Sequence, residues 1–262
     1  MPDDHTSSAD LVLPRSDEPP DFRRQARTYA CFRRDYSAAL YDAIGAFTGP
    51  DVGRRALDLG CGTGFVTASL SRRGWRVVGA DFSMPMLAEA RARLQAPAPL
   101  VRSRAEALAL GEACVDLVTC GTAFHWFAPR PALDEITRVL APGGAVALFW
   151  RYPAADAPTP LLIREVLRRF GRDIPDRQVF VHPPEPFRAS LLQAAPPRVL
   201  HGVLHYTPAE FHGYAATTEF LRRYAGEHHA EFLEALRDEL ERRFPDGIAE
   251  PSEEHLFLAR RI

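Results

Sequence analysis

In the segment LDLGCGTGF, residues 57–65, glycines stand at 60, 62 and 64. Asp58 precedes the first by two positions and Asp81 follows it by 21. Glycines so spaced allow turns closed to other residues and let a ligand approach the main chain. Two ligand classes use such a loop between a strand and a helix: dinucleotides and S-adenosylmethionine. The dinucleotide fingerprint wants G-x-G-x-x-G, but here the last place is Phe65 and the third glycine is Gly64. Charge points the same way. A carboxylate at the mouth of the loop, Asp58, repels a pyrophosphate and attracts an ammonium and a sulfonium. At an effective dielectric of ~20, a charge pair at about 4 Å is worth about 4 kcal/mol before desolvation, with opposite sign for the two ligands. Asp81 suits the ribose hydroxyls of either cofactor and does not discriminate. A glycine cluster alone is most simply a tight turn; the acid closing the next strand favours a cofactor.

A second stretch, GTAFHWF (121–127), leaves an apolar strand and carries His125 among three large rings. Core packing would account for Phe124 and Trp126 but leaves His125 awkward, whereas a ligand pocket accounts for all of them. Aromatic walls exclude water and steady a sulfonium by cation–π attraction. His125 is therefore expected to line the pocket, with a proton-transfer role as the alternative. His182 and Tyr152 stand behind it as further candidate bases.

These residues need a scaffold. RRALDL, WRVVGA, APLVRS, VDLVTC and AVALFW read as strands; FVTASLSRR, MPMLAEARARLQ and RPALDEITRVL between them read as helices. The second of those helices has Pro85 near its start, where a missing N–H costs nothing. Strands alternating with helices imply βαβ units, a parallel sheet and ligands at its carboxyl edge. Apolar residues at helical spacing predict an N-terminal helix over 22–47. Residues 1–20 read as a flexible leader. Prolines crowd residues 151–197 around one helix, 161–170, and that insertion is expected to cap the binding edge. After it come a strand at RVLHGVLHY, helices near 208–223 and 228–243, and a closing strand EHLFLAR. The main domain is thus expected over 21–150 and 198–262.

The chain has 262 residues, 46% of them hydrophobic, and a net charge of −2. No electrostatic footprint for nucleic acid or anionic membrane is visible. All 32 basic residues are arginine, which fits a GC-rich genome and removes lysine chemistry. The four cysteines (31, 61, 114, 120) show neither CxxC nor metal spacing, so no metal is expected and the setting is expected to be reducing and cytoplasmic. No signal peptide and no apolar run of about 20 residues appears.

Together, LDLGCGTG, VVGADFSMPMLAEAR, VDLVTCGTAFHWF and ITRVLAPGGAVALFW resemble the class I S-adenosylmethionine-dependent methyltransferases, nearest the small-molecule group with an HWF segment after the fourth strand. The resemblance implies an α/β, Rossmann-like, doubly wound sheet of seven mostly parallel strands with a helical cap. It implies that the backbone of Gly60, Cys61, Gly62 and Gly64 wraps the methionine part of the cofactor, with Asp58 at its amino group. Asp81 would hold the ribose, Phe82 and Ser83 would flank the adenine, and Ala105 and Glu106 would meet its edge. Cys120 and Gly121 would pass under the sulfonium. Tyr29 and Arg33, in YACFRRDY, would close the cofactor from the N-terminal side. Thr122, His125, Trp126, Trp150 and Tyr152 would form the acceptor pocket. Two departures fall beside it: Thr122 stands where glutamine is common, and Ala128 where an aspartate often follows HWF.

The expected activity is methyl transfer to an O or N nucleophile of a small organic molecule, of the kind modified in bacterial secondary metabolism. The alternative is a protein that binds S-adenosylmethionine without methyl transfer, regulatory or catalysing another reaction. A nucleic-acid methyltransferase is disfavoured by charge and by the absence of an N/D-P-P-Y/F tetrapeptide after the fourth strand. Acceptor identity and oligomeric state are not legible.

Overall fold

The structure, a computed structural model, describes residues 22–49, 54–94, 98–174 and 191–262. The leader 1–20 and His182 lie outside these residues. Five parallel strands come first: β1 (Arg55–Leu59), β2 (Arg76–Asp81), β3 (Leu100–Arg102), β4 (Val115–Gly121) and β5 (Leu140–Pro153). Then follow β6 (Leu192–Ala194), β7 (Arg198–Tyr206) and β8 (Ile248–Arg261). The sheet order is β3-β2-β1-β4-β5-β8-β6, with β7 also on β8. β6 pairs with the far end of β8 and β7 with its start, so the two share the outermost position end to end. The sheet thus has seven positions, and β8 alone runs against its neighbours.

The middle strands are buried on both faces. Leu57, Leu117, Val118, Ala147 and Leu148 are fully buried, the pattern of a sheet covered by helices on each side. Those helices are α3 (Phe65–Arg72), α4 (Met84–Arg93) and α5 (Pro129–Val139), with α1 (Phe22–Phe32) and α2 (Ala38–Thr48) at the N-terminal end. The single helix expected over 22–47 is two. Ser37 ends the gap by capping α2, its hydroxyl accepting from the Leu40 N–H at 3.2 Å, and so supplies a donor's partner that a continuous helix would not need.

A second core lies beyond β5. Helix α6 (Pro158–Arg168) joins α7 (Pro208–Ala216), α8 (Glu219–Ala225) and α9 (His229–Arg243) around Leu162, Val166, Phe211, Phe232, Leu236 and Leu240. Buried Glu250 on β8 accepts from Thr159 Oγ1 at 2.6 Å and ties α6 to the sheet. Helix α1 packs on both α4 and α7, bridging the two cores.

Candidate active site

The glycine loop leaves β1 and turns back on β2. The N–H groups of Gly60 and Cys61 both donate to Ala80 O, at 2.8 and 3.0 Å. Gly60 has φ +69, and a Cβ there would stand 2.6 Å from the Ala123 Cβ. Both the conformation and the close approach of the β4 loop therefore require glycine. Gly62 and Gly64 are also left-handed, and Gly62 opens to free space.

Asp81 closes this turn. Its carboxylate accepts from the Gly62 N–H at 2.9 Å and the Ser83 N–H at 2.8 Å. Burial nonetheless pushes its pKa up. Asp58 is not at the loop mouth, as expected, but behind it. It is 1% exposed and accepts from Thr67 Oγ1 at 2.6 Å and Thr119 Oγ1 at 3.2 Å. Desolvation raises its pKa to about 6, with the neighbouring Asp81 charge adding to the effect. Two desolvated carboxylates flank one loop, an arrangement that a cationic ligand would relieve. The hydroxyls of Ser83 and Thr63 are buried without a hydrogen-bond partner, and unmet polar atoms beside a turned-out glycine loop fit a polar cofactor.

Phe82 is 38% exposed beside Asp81, where a flat ring can meet a base. Ala105 is buried in the main core. Glu106 has a task within the fold: its carboxylate accepts from the Ala128 N–H at 2.8 Å. Ala128 is the N-cap of α5, so Glu106 supplies from another loop the negative charge and acceptor that the helix N-terminus favours. Cys61 and Cys120 are buried, and desolvation pushes both thiols well up.

The N-terminal segment covers this edge. Arg33 donates through Nε to Thr217 Oγ1 at 3.0 Å and through Nη2 to Thr217 O at 3.1 Å, between the rings of Tyr29 and Tyr214. Arg93 of α4 donates to Ala30 O at 2.8 Å and Thr63 O at 2.9 Å, joining α1 to the glycine loop. Thr217, Tyr214 and Arg93 come from α7 and α4, far from Arg33 in sequence. No local pattern marks them.

At the end of β4, Gly121 faces Phe149 and Tyr36 so closely that a Cβ would come within 2.7 Å of the Phe149 ring. Thr122 follows with φ +49, uncommon for a β-branched residue. A short 3₁₀ turn, Phe124–Trp126, then sets the aromatic residues. Phe124 is buried; His125 and Trp126 are accessible and their rings lie 4.6 Å apart. Trp150, expected on the pocket surface, is instead 3% exposed beneath this turn. Its indole N–H donates to His125 Nδ1 at 3.2 Å.

Water reaches the His125 ring, yet desolvation lowers its pKa to about 4, helped by the Arg223 charge. Both hold because Trp150, Trp126 and Arg223 crowd one side of the ring while the residue keeps an exposed edge. The wet edge softens the penalty but not its sign, so the imidazole is neutral at pH 7. Arg223 of α8 lies 5.8 Å from the Trp126 ring centre. Burial raises the pKa of Tyr36 and Tyr152. Among the described residues, no group of three His, Cys, Asp or Glu could hold a metal, and no helix is long and apolar enough to cross a membrane.

Known proteins place this geometry. A family model described as "Methyltransferase domain" matches residues 57–148, from the glycine loop to β5. A solved structure from Anaeromyxobacter dehalogenans, assigned as a type II methyltransferase, superposes with a TM-score of 0.64 at 25% identity, covering 88% of this chain and 99% of that one. The cyclase SpnF superposes with a TM-score of 0.52 at 20% identity, over 87% and 84% of the two chains, a likeness of fold alone. An uncharacterized methyltransferase of Mycobacterium tuberculosis is 36% identical over 171 residues, 60% of this chain and 69% of that protein. A match at that identity over so much of a relative is kinship rather than shared fold, and it makes this chain a member of the class I S-adenosylmethionine-dependent methyltransferases.

Proposed function

We propose that the protein methylates an oxygen or nitrogen of a small organic acceptor, admitted to the recess walled by Thr122, His125 and Trp126. One observation carries this reading. The loop after β4 touches the glycine loop through Ala123 and Gly60, and two residues later presents His125. Cofactor loop and acceptor wall therefore meet at adjacent strand ends. When bound, S-adenosylmethionine supplies an electrophilic methyl on a sulfonium.

The chain's own residues do the rest. Asp81, with Gly60, Gly62 and Gly64, holds the ribose and methionine parts, and Phe82 and Ser83 flank the base. Asp58 acts from behind the loop, as a buried charge answering a cation. Arg33 locks Tyr29 and the N-terminal segment onto α7, which excludes water. Displacement chiefly needs the nucleophile held about 3 Å from the methyl carbon and in line. Thr122, His125 and Trp126 do that holding. Helix α6, with α7–α9, forms the covering layer; of the cap expected over 151–197, residues 175–190 lie outside the described residues. The setting we infer is bacterial secondary metabolism in the cytoplasm.

The test is direct. The protein is titrated with S-adenosylmethionine and S-adenosylhomocysteine by calorimetry, then incubated with acceptor panels while S-adenosylhomocysteine is quantified. Acceptor-dependent product supports methyl transfer. Tight binding in which the cofactor drives another reaction, with the methyl retained, would favour the non-methylating alternative.

A further inference from the structure

The Trp150–His125 hydrogen bond decides more than the ring's position. An indole N–H is a donor only. His125 Nδ1 must therefore carry the lone pair, and in the neutral ring the proton is on Nε2. A ring so held presents an N–H to its other neighbour. Nε2 then has no lone pair to take a proton. It gains one only in the Nδ1–H tautomer, which breaks the Trp150 bond, and charging the ring at Nδ1 would break that bond too, against the opposing Arg223 guanidinium.

The other titratable groups at this side of the recess do not replace it as a base. Tyr36 shares a hydrogen bond with Thr122, and burial raises its pKa. Tyr152 is pushed up likewise. Glu219 accepts from both Arg222 and Arg223, at 2.6 and 2.9 Å, and those partners hold its pKa down. The charges also differ in balance: around Glu219 two arginines, Arg222 and Arg223, outnumber the one carboxylate. The carboxylates Asp58 and Asp81 belong to β1 and β2, while β4 leads to His125 with the Arg223 cation near it. One side answers a cation, the other an anion.

We propose, resting on the methyltransferase reading above, that Trp150 holds His125 as the Nε2–H tautomer and that this N–H, with Arg223 nearby, receives the oxygen of a carboxylate acceptor. Such an acceptor arrives deprotonated in neutral water, so the missing base is not needed. The attacking oxygen forms the new O–C bond with a lone pair while the C–S bond breaks and sulfur keeps its pair. The products are a methyl ester and S-adenosylhomocysteine. No proton moves.

The test uses the full chain, labelled with ¹⁵N-histidine, in long-range ¹H–¹⁵N spectra, with the His125 signals assigned through His125→Gln. The expected ring is neutral and protonated on Nε2 from pH 6 to 8, with or without S-adenosylhomocysteine. An Nδ1–H tautomer, or an imidazolium titrating near pH 6.5, overturns the proposal while leaving cofactor binding, read separately by calorimetry, untouched. Failure of S-adenosylhomocysteine to bind would instead sink the methyltransferase reading. Next, protein loaded with S-adenosylhomocysteine is titrated with benzoate and, separately, with phenol. Benzoate should shift the Nε2–H resonance. Its affinity should fall about tenfold or more in Arg223→Met and His125→Ala, and stay within about fivefold in His125→Gln, whose amide N–H replaces the lost donor. A ring that responds to phenol and ignores benzoate overturns the carboxylate assignment.

Discussion

The Tyr36 hydroxyl lies 2.6 Å from the Thr122 hydroxyl, so the segment after α1 is bonded to the left-handed residue that directly follows β4. Thr122 N–H also donates to Phe149 O at 2.8 Å, and the Tyr36 ring packs edge-on against Phe149 at 4.7 Å. Strain at one backbone position is thereby held by two neighbours that also pack on each other, as strained sites near active centres commonly are. Tyr36→Phe keeps the packing and removes the bond. We expect a loss of about 1 kcal/mol, roughly 2–4 °C in Tm for a chain of this size, with a larger proportional fall in turnover. Scanning calorimetry beside steady-state kinetics checks it; equal turnover in the variant would show that the bond only stabilises.

Asp58 makes stability depend on pH in an unusual direction. Its folded pKa is raised from 3.8 to about 6, so its favourable contribution is complete below pH 3.8 and is lost as pH rises through about 6. Above that the fold carries a buried charge, a penalty of at most about 3 kcal/mol at ~1.4 kcal/mol per unit. Asp58→Asn removes the charge and keeps acceptor and donor for Thr67 and Thr119. It should raise Tm at pH 8 by about 2–8 °C, gain nothing at pH 4, and weaken S-adenosylmethionine binding. A Tm gain that is the same at both pH values would refute the charge argument.

Asp81→Ala should weaken S-adenosylhomocysteine by about 10²-fold or more, since two ribose hydrogen bonds to a charged acceptor are worth about 1.5–3 kcal/mol each. The same change frees the Gly62 and Ser83 N–H groups, so a lower Tm should accompany it. Calorimetry with unchanged affinity, or tight NADH binding by the parent, would contradict the assignment.

The N-terminal cover can be lifted without touching the cofactor loop. Gly213 on α7 lies so close to Phe32 that an added Cβ would stand 2.5 Å from its ring. Gly213→Ala should push α1 off α7, and Arg33→Lys should break the fork onto Thr217 that a guanidinium alone can make. Each should raise the dissociation rate of S-adenosylhomocysteine and hydrogen exchange in α1, while exchange in β1 and β4 stays as in the parent. Parent-like release from both variants would mean that this segment does not close the cofactor site.

The strand–helix alternation was legible because a parallel sheet covered on both faces needs short continuous apolar runs, and helices between them need an apolar stripe. Each is a local pattern. The glycine loop and Asp81 were legible for a similar reason: a left-handed turn and an acid at a strand end are set within a few residues. Tertiary structure alone decided what these groups touch. Asp58 is two residues from Gly60, yet hydroxyls from α3 and β4 take it behind the loop. Tyr36 keeps the helical spacing of Tyr29, Phe32 and Leu40, but α1 stops at Phe32, and Ser37, with Glu254 accepting from its N–H and hydroxyl, starts a separate helix. His125 looked unoriented beside Ala128, because its partner, Trp150, lies 25 residues away on β5. A neutral ring's tautomer is set by whichever donor packs against it, and only the pairing of β4 with β5 brings that donor within reach.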